Sequence, residues 1–200
     1  MKIDVVSDTV CPWCFIGKRR LQRAIAMRPE MEFDVRWRPY RLDPTIPPEG
    51  VDRKAYLRAK FGDSPNTAAR GEAIRTEGAG DGIAFAFDKI ERSPNTLDSH
   101  RLIRWAGGAG VQDDVVEKLF DAYFVEGRNI GDRAVLTDIA AKSGMDAALV
   151  GELLDRGAES DLVEQEDRLA HEMGIPACRP SFSRTATCSQ AHASRRSSSR

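Results

Sequence analysis

The segment Cys11-Pro12-Trp13-Cys14 has the residue types and the spacing for thiol redox chemistry. It lies between a short apolar run, Ile3–Val6, and an amphipathic run, Phe15–Met27, which predicts a strand, a turn and then both cysteines on the first turn of a helix. The N–H groups and the dipole at a helix start favour an anion, so we expect a lowered pKa for Cys11 and ready attack on disulfides. A second thiol three residues later can reach back, and the pair can cycle between dithiol and disulfide.

Two other interpretations of the cysteine pair remain open. A tetrahedral zinc site usually needs a second pair of soft ligands at comparable spacing, but Cys178 and Cys188 are ten residues apart and the three histidines are scattered. Two buried, unreactive cysteines are the other alternative, although proline and tryptophan between them are not typical of a core. We favour the redox pair and expect no metal and no bound cofactor.

The composition describes a protein of nearly balanced charge. Its 200 residues include 30 Lys and Arg and 31 Asp and Glu, which argues against general binding to nucleic acid or to membrane surfaces. No apolar run approaches the length of a membrane span, and Met1-Lys2 leads directly into Ile3-Asp4 without the apolar core of a secretory signal. We therefore expect a cytoplasmic protein without membrane or nucleic-acid partners.

Four stretches of the chain resemble one family of oxidoreductases. Residues 5–17, Trp37–Pro44, Pro94–Leu102 and Gly174–Pro176 are similar, in order and spacing, to the DsbA-family thioredoxin-like proteins, most of all to their FrnE-like branch. The resemblance covers about residues 1 to 182. It implies an α/β thioredoxin-like fold interrupted by a helical insertion domain, with Cys11 as the nucleophile and Cys14 as the resolving thiol.

The resemblance also suggests a substrate site around the cysteines. His100 would lie on the helical domain and face the motif, although a purely structural, partly buried histidine is the simpler interpretation. Pro180 matches the family's substrate-pairing proline, but with one residue too many before it and with Arg179 in place of a small apolar residue. Together with Pro12 and Trp13, these two residues form the predicted substrate-binding set.

The order of the predicted elements suggests how the chain is divided. Strands are expected at 2–7 and 32–40 with a helix between them, then a proline-rich linker, then a mainly helical region to about residue 174 with a short strand at 83–87. Within this region we expect a loop at 78–82, a helix at 111–124 with one apolar stripe, and helix starts at Asp132 and at Met145 or Asp146, where aspartate can act as the N-cap. The expected units are a thioredoxin-like part at 1–44, a helical insertion at 45–173, a return to the thioredoxin-like domain at 174–182 and a disordered tail at 183–200.

The first helix carries a run of basic residues, Lys18, Arg19, Arg20 and Arg23. The simpler interpretation is a solvated face. The functional alternative is that these charges assist the thiolate or attract an acidic substrate.

The C-terminal residues depart from the family pattern after Phe182. Residues 183–200 are rich in Ser and Arg and contain no acid and no apolar periodicity, which is typical of disorder. We interpret this tail as the product of a frame change near Ala177, so the C-terminal part of the sheet would be missing or altered. The alternative is a genuine Arg/Ser tail that binds an acidic partner. Cys178 and Cys188 are given no role.

Three functions fit these observations. The first is a thiol-disulfide oxidoreductase or isomerase that acts on protein or small-molecule disulfides, with Asp8 either relaying a proton or capping the helix. The second is a glutathione-dependent isomerase or transferase of the 2-hydroxychromene-2-carboxylate isomerase or kappa type, in which glutathione is the co-substrate. That branch has serine at the first cysteine position, and Cys11 argues against it. The third is a non-catalytic binding relative. The oligomeric state is left open.

Overall fold

The computed structural model describes residues 1–63 and 65–174, with backbone only at 65–67. The elements follow one another as strand β1 (Lys2–Ser7), α1 (Pro12–Ala26), β2 (Asp34–Pro39), β3 (Val51–Asp52), α2 (Arg53–Phe61), α3 (Pro65–Gly80), a 3-10 turn (Phe87–Lys89), β4 (Arg92–Ser93), α4 (Leu97–Gly108), α5 (Gln112–Phe124), α6 (Arg133–Lys142), α7 (Ala147–Asp155) and α8 (Ser160–Glu172). None of the described helices is both long enough and apolar enough to cross a membrane.

The two predicted strands at the start of the chain form a parallel pair joined by α1. Their register places Ile3 opposite Val35 and Val5 opposite Trp37. Alternate residues of β1 are buried, as expected for a strand that packs one face on a core. Within the described residues this sheet contains β1 and β2, so the predicted strand–helix–strand unit is confirmed.

The core forms where α1 meets the helical part of the chain. Phe15 and Ile16 of α1 are completely buried, and the Phe15 ring stacks on Phe120 of α5 with centroids 5.0 Å apart. Leu21 is only partly buried. The predicted stripe along α5 is confirmed, because its apolar residues are all buried: Val115, Val116, Leu119, Phe120, Tyr123 and Phe124.

Two predicted helix caps are present in the structure. The carboxylate of Asp132 accepts a hydrogen bond from the backbone N–H of Ala134 at 2.7 Å, and Asp146 accepts from Ala148 and Leu149 at 2.9 and 3.0 Å. These contacts satisfy N–H groups that have no partner inside the helix, which fixes where α6 and α7 begin.

The strand expected at 83–87 was wrong. That segment is irregular and leads into the 3-10 turn. Its alternating apolar residues reflect packing, because the Phe85 ring is nearly perpendicular to the rings of Phe15 and Phe124. The loop expected at Gly78–Gly82 was also wrong at its start, because α3 continues to Gly80. A side chain at Gly78 would collide with the Phe85 ring, 2.3 Å from the position of its Cβ.

A short pairing that the sequence analysis did not predict closes the region between α2 and α4. Strand β3 pairs antiparallel with β4, with Val51 opposite Ser93. Gly50, just before it, has φ +72°, and a Cβ there would lie 2.9 Å from the Ser93 carbonyl oxygen. The chain therefore needs glycine at this turn, both for its backbone angle and for the close approach.

The basic run on α1 is a solvated face only in part, because Arg20 and Arg23 are exposed while Lys18 is buried, and all four charges are paired with acids. Lys18 is fully buried, with its Nζ 2.7 Å from Asp113 and 3.1 Å from Glu117, both on α5. Arg19 also pairs with Glu117. Arg20 and Arg23 both pair with Asp81, which follows α3. The charges join α1 to the helical region, a role that the local pattern does not show because the partners lie more than 50 residues away.

Several predictions fall outside the described residues. These are the return segment 175–182 with Pro180, the tail at 183–200, the frame change near Ala177 and the two cysteines at 178 and 188. The boundaries at residues 44 and 173 stay predictions.

Replacing Lys18 by alanine is expected to lower the free energy of unfolding by about 3 kcal/mol, because Asp113 and Glu117 lose the cation they share. Urea unfolding followed by far-ultraviolet circular dichroism measures the change. Arg28→Ala is the matched control, since Arg28 pairs with Glu30 at 3.8 Å and both side chains are more than half exposed. Equal losses in the two variants would contradict a special role for the buried pair.

Phe120→Ala is expected to cost about 3–5 kcal/mol of unfolding free energy, because it opens a cavity against Phe15 and Phe124. The same unfolding measurement applies. Phe61→Ala removes an equal volume from a side chain that is 46% exposed, and its effect should be much smaller. A loss below about 1 kcal/mol at Phe120 would show that this stacked cluster is not part of the core that holds the fold.

Candidate active site

The cysteine motif lies where the sequence placed it, between β1 and the first turn of α1. The turn closes with a hydrogen bond from the Cys11 N–H to the Asp8 carbonyl at 3.1 Å, and α1 begins at Pro12. Cys11 is the N-cap residue, and the Cys14 N–H donates to its carbonyl at 3.0 Å. This places the two sulfurs on the same side of one helical turn.

The two cysteines are in the thiol form and hydrogen-bonded to each other. Both are buried, with 3% of Cys11 and 8% of Cys14 exposed, and no disulfide joins them. Cys11 donates to Cys14, which raises the pKa of Cys11, and burial raises it further. Accepting this hydrogen bond lowers the pKa of Cys14, although burial opposes the effect.

The expected lowering of the Cys11 pKa is therefore wrong for this arrangement. The helix start does supply one hydrogen bond to Cys11, from the Cys14 N–H, and this bond favours its thiolate. Pro12 at the first helical position has no N–H to add. Donation to Cys14, burial and the charge of Asp8 together outweigh the helix start and raise the pKa of Cys11 in the dithiol.

Residues at the end of β1 surround Cys14. The Ser7 hydroxyl and the Asp8 backbone N–H both donate toward its sulfur and lower its pKa. The Asp8 carboxylate acts in the opposite direction, because its negative charge raises the pKa of both cysteines. Hydrogen bonds thus favour a thiolate at this site while one neighbouring charge opposes it.

Asp8 is a buried side chain that connects three parts of the chain. Its Oδ2 accepts from the Leu42 N–H at 2.7 Å and its Oδ1 from the Val10 N–H at 3.4 Å. Oδ1 also lies 3.5 Å from Nε2 of His100. The alternative that Asp8 caps α1 is wrong, because its carboxylate contacts the turn and the segment after β2, and no side chain caps this helix.

His100 brings α4 against the cysteine motif. It is 4% exposed, and its Nε2 makes no hydrogen bond within the described part of the chain. Its neighbour Ser99 is hydrogen-bonded to Thr9 of the motif turn, with 2.8 Å between the hydroxyl oxygens. The structure thus places a titratable side chain of the helical region beside the redox motif, as the resemblance implied, although its role in substrate binding stays a prediction.

The rest of the predicted site is only partly described. Pro12 and Trp13 are half-buried, with Trp13 packed on the core, and Pro180 lies outside the described residues. No group of three His, Cys, Asp or Glu side chains is arranged to hold a metal ion in residues 1–63 and 68–174. Sequence reasoning missed the contacts of Thr9 with Ser99 and of Asp8 with Leu42, and no local pattern signals either.

Asp8→Asn is expected to lower the pKa of the cysteine pair, because it removes a buried negative charge that opposes the thiolate. The pH dependence of thiolate absorbance near 240 nm measures this in the reduced protein. Asp4→Asn, an exposed aspartate on the same strand, is the control and should leave the profile in place. A higher midpoint in Asp8→Asn would show that the Asp8 charge does not govern the thiols.

Comparison with known proteins agrees with this geometry. Residues 2–176 match the family model of the DSBA-like thioredoxin domain. The uncharacterized protein YwbO of Bacillus subtilis (strain 168) is 27% identical over 180 residues, which is 90% of this chain and 84% of YwbO. The crystal structure of the probable DsbA oxidoreductase SCO1869 from Streptomyces coelicolor superposes with a TM-score of 0.78, at 28% identity over 87% of this chain and 76% of that one.

More distant solved structures share the fold. A 2-hydroxychromene-2-carboxylate isomerase has a TM-score of 0.64 at 15% identity, over 87% of this chain and 81% of that one. The cytosolic disulfide reductase DsbM from Pseudomonas aeruginosa has a TM-score of 0.61 at 20% identity, over 87% and 80%, and its structure is also known with GSH. The family match over 2–176 decides the assignment: the chain belongs to the DSBA-like thioredoxin domain family.

Proposed function

We propose that this protein is a thiol-disulfide oxidoreductase or isomerase in which Cys11 and Cys14 form the redox pair. The observation that carries the proposal is the hydrogen bond between two thiols on the first turn of α1, in a chain of the DSBA-like family. Two thiols in contact across one helical turn are placed to form a disulfide with little movement. The FrnE-like assignment made from the sequence remains part of this proposal.

The reaction follows from the two sulfurs. The Cys11 thiolate attacks one sulfur of the substrate disulfide, a Cys11–substrate bond forms, and the other substrate sulfur leaves as a thiolate that takes up a proton. Cys14 then attacks the Cys11 sulfur, the pair becomes a disulfide, and the second substrate thiol departs. Two electrons have moved from the pair to the substrate, and an external thiol reductant restores the dithiol. In isomerisation, a substrate thiolate resolves the mixed disulfide instead.

The positions of the two cysteines in the fold support this division of roles, whereas the raised pKa of Cys11 in the dithiol opposes it. The hydrogen bonds from Ser7 and from the Asp8 N–H hold Cys14 from the side of β1. Cys11 is the N-cap at the end of the motif turn, beside the half-exposed Pro12 and Trp13, which would line the substrate's approach. Because Cys11 is itself buried, attack requires the residues around the motif to move.

Glutathione is the candidate co-substrate. The disulfide reductase DsbM, which shares the fold, has a solved structure with GSH. A thiol partner of this kind would return the pair to the dithiol form, and a reducing compartment such as the predicted cytoplasm would keep it there. Titration calorimetry with reduced and oxidised glutathione tests this, and the absence of heat with both forms would remove glutathione from the proposal.

Cys11→Ser is expected to abolish reduction of a model protein disulfide such as that of insulin by an added dithiol, because the attacking thiolate is lost. Cys14→Ser should accumulate a mixed disulfide on Cys11, which mass spectrometry of the motif peptide detects. The Cys178→Ser/Cys188→Ser double variant is the matched control and should keep the full rate. Trapping of substrate on Cys14 in the Cys11→Ser variant would reverse the two roles, and full activity of Cys11→Ser would refute the proposed function.

A further inference from the structure

Helix α8, together with its C-cap residue Met173, carries an apolar stripe that is exposed in the described part of the molecule. Leu162, Leu169 and Met173 are 43%, 54% and 67% exposed, and spacings of seven and four residues place them on one face of the helix. Val163 and Ala170, each one position after a leucine, are buried. Because one residue turns a helix by about 100°, the buried face and the exposed stripe lie on different sides of α8.

The buried face of α8 is already used inside the chain. It packs on α4 and on β2, and Asp167 on this face accepts two hydrogen bonds from Arg41. Single exposed apolar side chains are ordinary on a protein surface, but three in line on one helix face indicate a contact surface. The other large exposed apolar side chains among the described residues lie on other elements: Met1, Met27, Met31, Phe61 and Leu149.

Two charged residues on one flank of the stripe are free to pair with another molecule. Asp161 is exposed and has no ion-pair partner within residues 1–63 and 68–174. Arg168 reaches only Glu164, at 3.9 Å, and its own side chain is 63% exposed, so this pair contributes little. Asp161 and Arg168 are seven residues apart, as the two leucines are, and therefore follow the stripe along the same side of the helix.

This arrangement is complementary to a second copy of itself when the two helices run antiparallel. A two-fold axis that places Leu162 of one copy opposite Leu169 of the second copy brings the other two leucines together by symmetry. The same register brings Arg168 of each copy beside Asp161 of the second copy, offset by about 3 Å along the helix. In a parallel pair each flank would face the opposite flank of the second copy, and these charges would not meet.

We propose that the stripe on α8 is a self-association surface, on which a second copy of this chain docks its own α8 antiparallel. Docking removes Leu162, Leu169 and Met173 of both copies from water, which supplies the driving force, and the two charge pairs select the register. Three apolar side chains from each copy form less than a standard stable interface, so the dimer is expected to be weak and to depend on concentration. This contact does not depend on the redox chemistry of the cysteine pair.

Sedimentation velocity of the full chain over a concentration series measures the association, with a dithiol present so that no disulfide joins two chains. The unsubstituted protein is expected to change from one chain to two as the concentration rises. Leu169→Glu should remain a single chain where the parent is mostly dimer, because the contact would bury an unpaired charge. Leu149→Glu, at a leucine of α7 that is 52% exposed, is the control and should associate as the parent does. A parent protein that remains a single chain up to about 1 mM would overturn the proposal.

An exchange of charges tests the register. Arg168→Asp is expected to raise the dissociation constant of the dimer about tenfold at low salt, because each copy then sets two acids together. The double variant Asp161→Arg/Arg168→Asp restores opposite charges across the contact and should return the constant to within about threefold of the parent value. Arg156→Asp, which disturbs a similar exposed pair with Glu152 at 3.7 Å at the end of α7, is the control and should not change it. A double variant as weak as Arg168→Asp alone would overturn the proposed docking.

Hydrogen exchange on the unsubstituted protein locates the contact without any variant. Amides of α8 should exchange more slowly at high protein concentration than at low concentration, whereas those of α1 should not change. The residues that follow α8 in the same chain are the alternative occupant of the stripe. In that case protection of α8 would be equal at every concentration, and Leu169→Glu would lower the free energy of unfolding of a chain that is single throughout. Either result would overturn the proposal.

Discussion

One buried carboxylate connects the cysteine motif to the rest of the molecule. Asp8 accepts the Leu42 N–H from the segment after β2, and it faces His100 from α4 across 3.5 Å. A buried carboxylate must be paired or hydrogen-bonded, because its desolvation is otherwise too costly. The position of the motif turn is therefore set by groups that are 34 and 92 residues away in the chain, and the environment of the cysteines depends on both.

A second buried carboxylate acts on the neighbouring residue and extends this connection. Asp167 of α8 accepts the Arg41 N–H at 2.7 Å and its Nε at 2.9 Å. Consecutive backbone N–H groups after β2 are thus held by acids from opposite ends of the described chain, Asp167 from its last helix and Asp8 from the motif turn. Residues 41 and 42 thus form a direct structural connection between α8 and the redox site.

The features that could be predicted from the sequence are those with a local cause. The stripe along α5, the caps at Asp132 and Asp146 and the strand–helix–strand start each depend on residues within a few positions of one another. The burial of Lys18 within the basic run was missed because its partners Asp113 and Glu117 follow about a hundred residues later. The contact between Asp8 and His100 could not be predicted for the same reason, because hydrophobic periodicity and composition do not show which helix will pack on a turn.

The cysteine pKa values show most clearly how the fold changes a local rule. A thiol at a helix start gains from the N–H groups there, and Cys11 does receive one such bond. The fold then adds burial, a carboxylate from the preceding turn and a second thiol, Cys14, which accepts a hydrogen bond from Cys11. Together these raise the pKa of Cys11 instead of lowering it. The hydrogen bonds that the Ser7 hydroxyl and the Asp8 N–H donate to Cys14, and the opposing charge of the Asp8 carboxylate, are likewise set by the fold. The end of β1 therefore governs the cysteine pair together with the start of α1.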